Sequence, residues 1–316
     1  DPNDHVEGLP LSETLLPARL KPAGYVSGWI GKWHLGAAPE FSPRQRGFDE
    51  TYGFIGGGHR FREWKVNAAV EYQVPMERNG QAIPVPEHLT TDLGREAADF
   101  VRRHSAQPWF LYLAFNAPHN PQEPTPERLA RFAAIKDPMR QKYAAQVSLM
   151  DDAIGEALAA LAASGQEQRT LVFFFSDNGG SGRKPFFAFN TAVNKPLRGD
   201  KGQLWEGGIR VPYFVSWPGH LPAGTVSEAP VSTLDILPTA CAVSGGQLPD
   251  GVEGVNLLPS LQGHTTAVPH DRLYWRFGPQ RAIRAGRWKL VDARDFQRKT
   301  QTGWQLYDLE SDPGET

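Results

Sequence analysis

The sequence predicts an α/β fold, with a mostly parallel central sheet flanked by helices and a smaller antiparallel sheet near the C-terminus. Three observations support this prediction. Continuous apolar runs, typical of strands buried on both faces, recur up to Trp217. Segments with helical spacing alternate with these runs, as they do in α/β domains. After about Ala223, short strand-like segments follow one another closely, which indicates antiparallel pairing.

Four apolar runs are predicted as strands of the central sheet. They are Tyr25 to Ile30, Trp109 to Phe115, Leu171 to Phe175 and Val211 to Trp217. Parallel sheets are covered on both faces, so their strands show few alternating polar residues. We therefore expect these runs to lie in one sheet.

Helices are predicted around these strands. They cover Leu11 to Leu20, Thr91 to Arg103, Met139 to Leu161 and Ser232 to Ser244. In the third segment apolar residues recur every three or four positions, and the pattern ends near Gly165. The segment Trp64 to His88 has no clean periodicity, and we expect it to run over the surface.

The C-terminal part is predicted to form the antiparallel lobe. Its strands are Arg272 to Phe277, Gln280 to Ala285, Trp288 to Ala293 and Trp304 to Leu309. We predict a catalytic α/β domain over residues 1–223, with its N-terminal part missing. Residues 224–316 hold the end of that domain and an incomplete antiparallel subdomain.

Composition excludes several classes of protein. The chain has 316 residues, 40% of them hydrophobic, so it can bury a large core and is not disordered. Its formal charge of -2 gives no field for non-specific binding of nucleic acid or an anionic membrane. One cysteine excludes an internal disulfide and a Cys-rich zinc site. No apolar run approaches the ~18 residues of a membrane span.

Reactive side chains follow the predicted strands. In open parallel sheets ligands bind at the carboxyl ends of strands, so these positions predict the active site. The six candidates are Lys32, His34, His119, Asp177, Asn178 and Lys201. If the strands are neighbours, these side chains meet at one edge of the sheet.

The six residue types suit ester hydrolysis at sulfur or phosphorus. The two lysines are compact cations for the oxygens of a tetrahedral oxyanion, and the two histidines can move protons near neutral pH. Asp177 and Asn178 offer hard oxygen ligands, which favour calcium or magnesium over zinc.

Five segments resemble the type I sulfatases, the arylsulfatase and N-acetylgalactosamine-6-sulfatase group. In the family's usual order they are Gly24 to Gly36, Ala117 to His119, Phe175 to Gly180, Lys201 to Gly208 and Leu306 to Pro313. One such segment is a weak signal, and five in order are a strong one. The resemblance spans essentially the whole chain.

The resemblance implies an alkaline-phosphatase-like fold, one calcium ion, with magnesium second, and hydrolysis of sulfate monoesters. By position, Asp177 and Asn178 ligate the metal, and Lys32 and Lys201 hold the sulfate oxygens. His34 orients and deprotonates the nucleophile. His119, together with Lys201, protonates or stabilises the leaving oxygen.

The family's nucleophile is a formylglycine made by a maturation enzyme from Cys or Ser in a Cys/Ser-x-Pro-x-Arg motif. That motif does not occur in these 316 residues, so we expect a fragment that lacks turnover. Cys241, followed by Ala242, is interpreted as a buried core thiol. Asp151 and Asp152 diverge by about 100° on a helix and cannot replace the family's acidic pair of metal ligands.

Three further residues are candidates for substrate contact. His59 ends a glycine run that resembles a pocket rim, although such runs are commonly plain turns. Trp205 could stack on a sugar or anchor packing. Arg210 could contact substrate or form an ion pair with Glu206. Specificity is expected from Trp64 to His88, Arg183 to Lys195 and the C-terminal lobe.

The hypothesis is therefore a calcium-dependent sulfatase acting on a sulfated carbohydrate or a small aryl sulfate. Export to the periplasm, the extracellular space or the lysosome is inferred from the family alone. Two alternatives stay open. One is a phosphoester or phosphonate hydrolase of the same fold, and the other is a non-catalytic protein that binds sulfated glycans.

Overall fold

The computed structural model describes residues 8–184, 187–188, 191–248, 250–295 and 300–316. The chain packs as two compact units, Asp1–Glu167 with Leu237–Val252, and Gln168–Ile236 with Glu253–Thr316. The boundary expected after residue 223 stays a prediction. The expected specificity loop Arg183 to Lys195 lies partly outside the described residues.

A five-stranded sheet forms the centre of the first unit. Its strands are β1 (Val26–Lys32), β2 (Glu50–Phe54), β3 (Met76–Arg78), β4 (Gln81–Ile83) and β5 (Trp109–Ala114). Their order is β4-β3-β2-β1-β5. Strand β1 is parallel to β2 and β5, whereas β3 and β4 add antiparallel strands beyond β2. The carboxyl ends of β1, β2 and β5 therefore meet at one edge of the sheet.

Part of the segment Trp64 to His88 belongs to the core and not to the surface. Strand β3 hydrogen-bonds to β2, and Met76 and Trp64 are buried beside Phe54. The expectation of a surface excursion was wrong for these residues. A strand of three residues is too short to show a period, so the pattern gave no signal for it.

Four α-helices accompany this sheet. They are α1 (Leu16–Leu20), α2 (Leu89–Arg103), α3 (Pro126–Ala130) and α4 (Pro138–Ala163). Helices α2 and α4 pack against each other, and Leu89, Leu93 and Phe100 of α2 are buried in the core. The Asp137 side chain caps α4 by accepting hydrogen bonds from two backbone N–H groups. The helix ends at Ala163, followed by Gly165 in a left-handed conformation, as expected.

Helix α1 is shorter than the expected segment Leu11 to Leu20. Buried Arg46 donates hydrogen bonds to the backbone carbonyls of Leu9, Pro10 and Glu13. The Pro10 carbonyl also accepts from the Glu13 N–H at 3.0 Å, so the chain forms a turn there in place of the first helical turns. The helix begins at Leu16, where Pro17 suits its first turn.

The second unit contains ten strands among its described residues. They are β6 (Val172–Phe175), β7 (Arg183–Lys184), β8 (Phe187–Ala188), β9 (Tyr213–Ser216), β10 (Arg272–Phe277), β11 (Gln280–Ala285), β12 (Trp288–Asp292), β13 (Arg294–Asp295), β14 (Thr300–Gln301) and β15 (Gln305–Asp308). Strands β10, β11, β12 and β15 form one antiparallel sheet. This is the predicted C-terminal lobe. The pairs β7–β8 and β13–β14 are short antiparallel ribbons.

Strands β6 and β9 differ from the parallel expectation. They pair antiparallel, with Phe173 opposite Val215, in a two-stranded sheet separate from the one that contains β1 and β5, so the expectation of a single sheet was wrong. The backbone N–H of Ser176, just after β6, donates to the carbonyl of Pro212, just before β9. The end of β6 therefore lies beside the start of β9, as antiparallel pairing requires. The strands of the α/β fold are therefore both parallel and antiparallel. The α/β class itself is confirmed.

Three further α-helices follow in chain order, α5 (Glu206–Ile209), α6 (Ile236–Ser244) and α7 (Leu258–Leu261). Short 3-10 turns occur at Lys21–Ala23, Pro39–Phe41, Glu167–Arg169 and Thr233–Asp235. The last precedes α6 and is capped reciprocally by Ser232 and Asp235, so the helix expected over Ser232 to Ser244 is confirmed. Within the described ranges, no helix is long and apolar enough to cross a membrane.

Candidate active site

Lys32 and His34 leave the end of β1 around a fixed tryptophan. Trp33 between them is 3% exposed, and its indole N–H donates to the carbonyl of Phe41 at 2.8 Å. Its ring packs edge-on against Trp29. Lys32 is half-buried and His34 is exposed. The buried ring therefore holds the backbone in place. The side chains of Lys32 and His34 extend from the residues on either side of it.

His34 has a left-handed backbone, φ 55°, and its imidazole lies against a glycine. A Cβ at Gly57 would come within 2.8 Å of His34 Nε2. Such a separation is below a normal contact, so a side chain at this position would displace the imidazole. The glycine run after β2 therefore makes room for His34.

His119 sits in the loop after β5 and is fixed at one ring nitrogen. Its Nδ1 lies 2.8 Å from the carbonyl oxygen of Asn120, and its backbone N–H donates to the carbonyl of Asn116. A carbonyl only accepts, so the proton belongs on Nδ1 and Nε2 is the basic nitrogen of the neutral ring. This is the tautomer that a proton shuttle through Nε2 requires.

A chain of contacts joins His34 to His119. Gly57 lies against the His34 ring, and the next residue, Gly58, lies against the Tyr72 ring. The Tyr72 ring stacks on His119, with ring centroids 6.1 Å apart. Because β1, β2 and β5 are parallel, Lys32, His34 and His119 gather at the same edge of the sheet, as predicted. Tyr72 was missed, because it lies in the segment without periodicity.

His59 does not have the predicted substrate contact. Its side chain is 0% exposed, and its ring lies between Phe54 and Trp64. Both ring nitrogens lie 2.9 Å from backbone carbonyls, those of Arg60 and Val74. Burial lowers the pKa of His59. A histidine enclosed in this way holds two loop segments together and cannot reach a substrate.

In the second unit, Asp177 and Asn178 follow β6 in a loop packed on the start of α5. Gly179 lies so close to Gly207 that a Cβ would come within 1.8 Å of the Gly207 carbonyl oxygen. The Gly179 N–H donates to the carbonyl of Gly208 at 3.0 Å. Glycine is therefore required here for close approach of two backbones. Asp177 is exposed, and Asn178 is half-buried.

Lys201 is attached to the same loop through its backbone. Its N–H donates to the carbonyl of Gly180 at 3.2 Å. The Asn194 amide braces this arrangement by accepting from Gly180 N–H at 2.9 Å and donating to the carbonyls of Gly180 and Gly199. The structure thus brings the Asp177–Asn178 loop and Lys201 together. Sequence reasoning missed Asn194, which stands in the expected specificity loop and matches none of the family segments.

Asp177 and Asn178 offer oxygen atoms, the type of ligand that a hard divalent cation prefers. Asp177 supplies a carboxylate and Asn178 an amide carbonyl, whereas calcium takes about six to eight oxygen ligands. The Asn178 amide nitrogen donates to the carbonyl of Gly179 at 3.0 Å, which leaves its carbonyl oxygen for another partner. No cluster of three or more His, Cys, Asp or Glu suited to a metal occurs in the described part of the chain. Two donors fall short of a calcium ligand set, so a metal ion held by Asp177 and Asn178 would need further ligands.

Trp205 anchors packing, the second of its two predicted roles, and substrate contact by Arg210 stays a prediction. Trp205 is 4% exposed in the core of the second unit, and the Arg198 guanidinium lies 3.9 Å from its ring centroid. Arg210 lies 3.5 Å from the carboxylate of Glu228, and both side chains are exposed. The alternative pairing of Arg210 with Glu206 is wrong, because the Glu206 carboxylate binds Lys289.

A buried charge cluster was not expected from the sequence. Lys289 Nζ lies 2.9 Å from Glu206 Oε1 and 2.7 Å from Glu315 Oε1, with both carboxylates almost fully buried. Glu315 Oε2 also accepts from the Glu206 N–H at 2.5 Å. Arg198 donates to the Glu315 carbonyl at 2.6 Å. This cluster ties the segment after the Leu306 to Pro313 motif to the start of α5.

Cys241 is a core thiol, as interpreted. It is 3% exposed, and burial raises the pKa of its thiol. A raised pKa lowers the fraction of thiolate, which is the reactive form.

The fold and these loops define a class of α/β proteins with lysine and histidine side chains in the loops that follow the strands. Residues 1–246 match the family model described as Sulfatase, and residues 199–316 match N-sulphoglucosamine sulphohydrolase, C-terminal. The chain belongs to the sulfatase family. Its alkaline-phosphatase-like fold, expected from the resemblance, is confirmed.

Relatives and solved structures agree with this assignment. The chain is 34% identical to N-acetylgalactosamine-6-sulfatase of Rattus norvegicus, covering 91% of this chain and 56% of that protein. It is 30% identical to arylsulfatase A of Bos taurus, covering 98% and 67%. Among solved structures, Ps i-CgsB in complex with k-i-k-neocarrahexaose is 34% identical with a TM-score of 0.89, covering 99% of this chain and 71% of that one. The chain thus spans little more than half the length of the first of these relatives.

Proposed function

We propose that this chain is part of a sulfatase that hydrolyses sulfate esters of a sulfated carbohydrate. One observation carries the proposal. Lys32, His34 and His119 lie at one edge of a parallel set of strands, in a chain whose residues 1–246 match the sulfatase family. Ps i-CgsB, a similar protein, was solved with a neocarrahexaose, which supports a carbohydrate over a small aryl sulfate.

Each residue has a separate task in this proposal. The ammonium groups of Lys32 and Lys201 bind the oxygens of the sulfate group, where they stabilise negative charge. His119 delivers a proton to the leaving oxygen from Nε2 when its ring is protonated, and the neutral ring that results keeps its remaining proton on Nδ1, bonded to Asn120. His34 orients and deprotonates the nucleophile from the position that Gly57 leaves open for it.

Family membership implies a divalent metal and a formylglycine nucleophile. We propose calcium, with Asp177 and Asn178 among its ligands, because both supply hard oxygen donors. When bound, such an ion would supply positive charge that stabilises the oxygens of the sulfate group. Formylglycine requires a maturation enzyme as a partner, and export is the location that we expect from the family.

Sulfate release is the experiment that tests the proposal. The nucleophile motif is absent from these 316 residues, so the assay uses the longest reading frame that contains them, co-expressed with a formylglycine-generating enzyme. The substrates are a carrageenan oligosaccharide, p-nitrophenyl sulfate and p-nitrophenyl phosphate. We expect sulfate esters to react, and Lys201→Ala to lower kcat/KM by about 100-fold because it removes a charge from the transition state.

The control is Lys136→Ala, which removes an exposed lysine from another part of the chain. It should leave the rate within a factor of about two, since an isolated surface charge contributes little. A phosphate ester hydrolysed faster than both sulfate esters would contradict the proposal. So would a Lys201→Ala variant as active as the parent.

A further inference from the structure

A groove in the first unit lies outside the residues that the proposed reaction uses. Its volume is about 300 Å³, and its lining includes the cations Arg60, Arg62 and Lys142, the carboxylates Glu63 and Glu123, and Gln122 and Leu129. All of these residues belong to one compact unit. The lining joins cationic side chains, one amide and an apolar wall, which are the groups that bind an anionic sugar.

Positive charge exceeds negative charge in this groove. Arg60 is neutralised by Glu123, whose Oε1 accepts from Arg60 Nε at 2.9 Å and Nη2 at 2.5 Å. Arg62 has a weaker pair at 3.2 Å with Glu63, a carboxylate that is 84% exposed. For Lys142, no carboxylate of the described residues lies within ion-pair distance. The three cations of the lining therefore exceed its two carboxylates by one, and Lys142 supplies the positive charge that no carboxylate there offsets.

Gln122 adds a donor that has no acceptor in the described structure. Its amide nitrogen is buried and makes no hydrogen bond there. A buried donor without an acceptor is unfavourable, and an oxygen atom of a ligand in the groove would satisfy it. An oxyanion therefore matches both the charge and this amide.

The groove is connected to the loop of His119. Gln122 and Glu123 follow that loop in the chain, and Glu123 Oε2 accepts from the Phe61 N–H at 2.9 Å. The Arg60 N–H donates to the carbonyl of Tyr72, whose ring stacks on His119. A ligand held in the groove is thus next to the segments that position a proposed catalytic group.

We propose that this groove is a subsite for a second sulfate group, carried on a sugar next to the one whose ester is hydrolysed. Arg62, Lys142 and the Gln122 amide bind the sulfate oxygens, and Leu129 packs against the sugar. The inference rests on the proposed function and extends it, because it selects a multiply sulfated chain over a monosulfated sugar. Charge-assisted hydrogen bonds of this type carry much of the affinity for an oxyanion.

Isothermal titration calorimetry with the 316-residue chain tests the subsite without turnover. The probes are a sulfated carrageenan hexasaccharide, its desulfated form and inorganic sulfate. We expect the sulfated hexasaccharide to bind most tightly. Arg62→Ala and Lys142→Ala should each weaken its binding by about five- to tenfold, the effect of losing one charge-assisted hydrogen bond.

Lys136→Ala is the matched control, since it removes an exposed lysine that does not line the groove, and its affinity should stay within about twofold of the parent. Unfolding temperatures of all three variants check that they fold. Unchanged affinity in both groove variants would overturn the proposal. The proposal would also be overturned if inorganic sulfate bound as tightly as the sulfated hexasaccharide and lost the same affinity in both groove variants. The groove would then be a site for a free anion and not for a sulfated sugar.

Hydrolysis separates this inference from the proposed function. In the longer reading frame, Arg62→Ala and Lys142→Ala should raise KM for the hexasaccharide and leave kcat/KM for p-nitrophenyl sulfate unchanged, because that ester carries no second sulfate. If no sulfate ester reacts, the proposed function fails, and the calorimetry still decides whether the groove binds. Equal losses on both substrates would contradict a separate subsite.

Discussion

Replacing Lys289 with methionine should destabilise the second unit strongly. Lys289 is 0% exposed and lies between the carboxylates of Glu206 and Glu315, at 2.9 Å and 2.7 Å. Methionine keeps a similar length and removes the charge, so two buried carboxylates lose their shared cation. Removing one member of a buried ion cluster costs about 3–5 kcal/mol, because the remaining charge is left uncompensated.

A matched exposed pair gives the comparison. Arg287 binds the carboxylate of Asp308 on the same lobe, with side chains 43% and 17% exposed. Because solvent screens such a pair, Arg287→Met should cost only about 0–1 kcal/mol. The buried substitution is therefore expected to lower the free energy of unfolding at least threefold more than the exposed one.

Urea unfolding at pH 7, followed by tryptophan fluorescence and by circular dichroism, measures both variants. Two signals are needed because the two compact units can unfold separately. If the free energy of unfolding of Lys289→Met lies within about 1 kcal/mol of the parent value, the reasoning is refuted. That result would show that the carboxylates of Glu206 and Glu315 are not held as buried charges.

The pH dependence provides a second check with a definite sign. Burial raises the pKa of Glu315, and the charge of Lys289 opposes that shift. A carboxyl with a raised folded pKa stabilises the protein below its unfolded pKa, and this stability is lost as the pH rises through the folded pKa. Without Lys289 the pKa rises further. The variant should therefore recover stability relative to the parent as the pH falls toward about 4.

Three further substitutions have distinct expected outcomes. Gly57→Ala should move the imidazole resonances of His34 in an NMR spectrum. It should change the free energy of unfolding by less than about 1 kcal/mol, because only the imidazole ring must shift. Unmoved resonances would contradict the contact between Gly57 and His34. Asp235→Asn should lower the free energy of unfolding, measured in urea, by about 2–4 kcal/mol, because the buried carboxylate accepts three hydrogen bonds. A loss below about 1 kcal/mol would contradict this role of Asp235. Arg46→Met should speed proteolysis within Leu9 to Glu13, whose carbonyls it holds; an unchanged cleavage rate would oppose that role.

Long periodic elements were predictable from the sequence. The apolar stripe from Met139 to Leu161 gave α4, and the closely spaced strands after Arg272 gave the antiparallel sheet. Both patterns extend over many residues and reflect burial of one face. The direction of β9 relative to β6 was not predictable, because a buried apolar run is the same in either orientation.

Site residues that directly follow a strand could be predicted from the sequence. Residues whose role depends on burial by distant parts of the chain could not. His34 and His59 both stand near glycines and strand ends, yet one is exposed and the other fully buried. Local sequence does not tell which ring the neighbouring segments enclose. Trp205 is similar, because its burial under Arg198 depends on a core that forms from distant strands.

The buried partners of Lys289 are also non-local. Glu206 and Glu315 are separated by more than one hundred positions, and no spacing rule connects them. A lysine in a strand is normally assigned to the exposed face. Only the packed sheet shows that this one faces inward.

The central proposal is that this chain is part of a sulfatase in which Lys32, at the end of β1, binds the oxygens of the sulfate ester. Sulfate release from the sulfated hexasaccharide by the longer reading frame tests it most directly, with Lys136→Ala as the control for Lys32→Ala. We expect Lys32→Ala to lower kcat/KM by about 100-fold, because it removes a charge that stabilises the transition state. A Lys32→Ala variant as active as the parent would contradict the proposal.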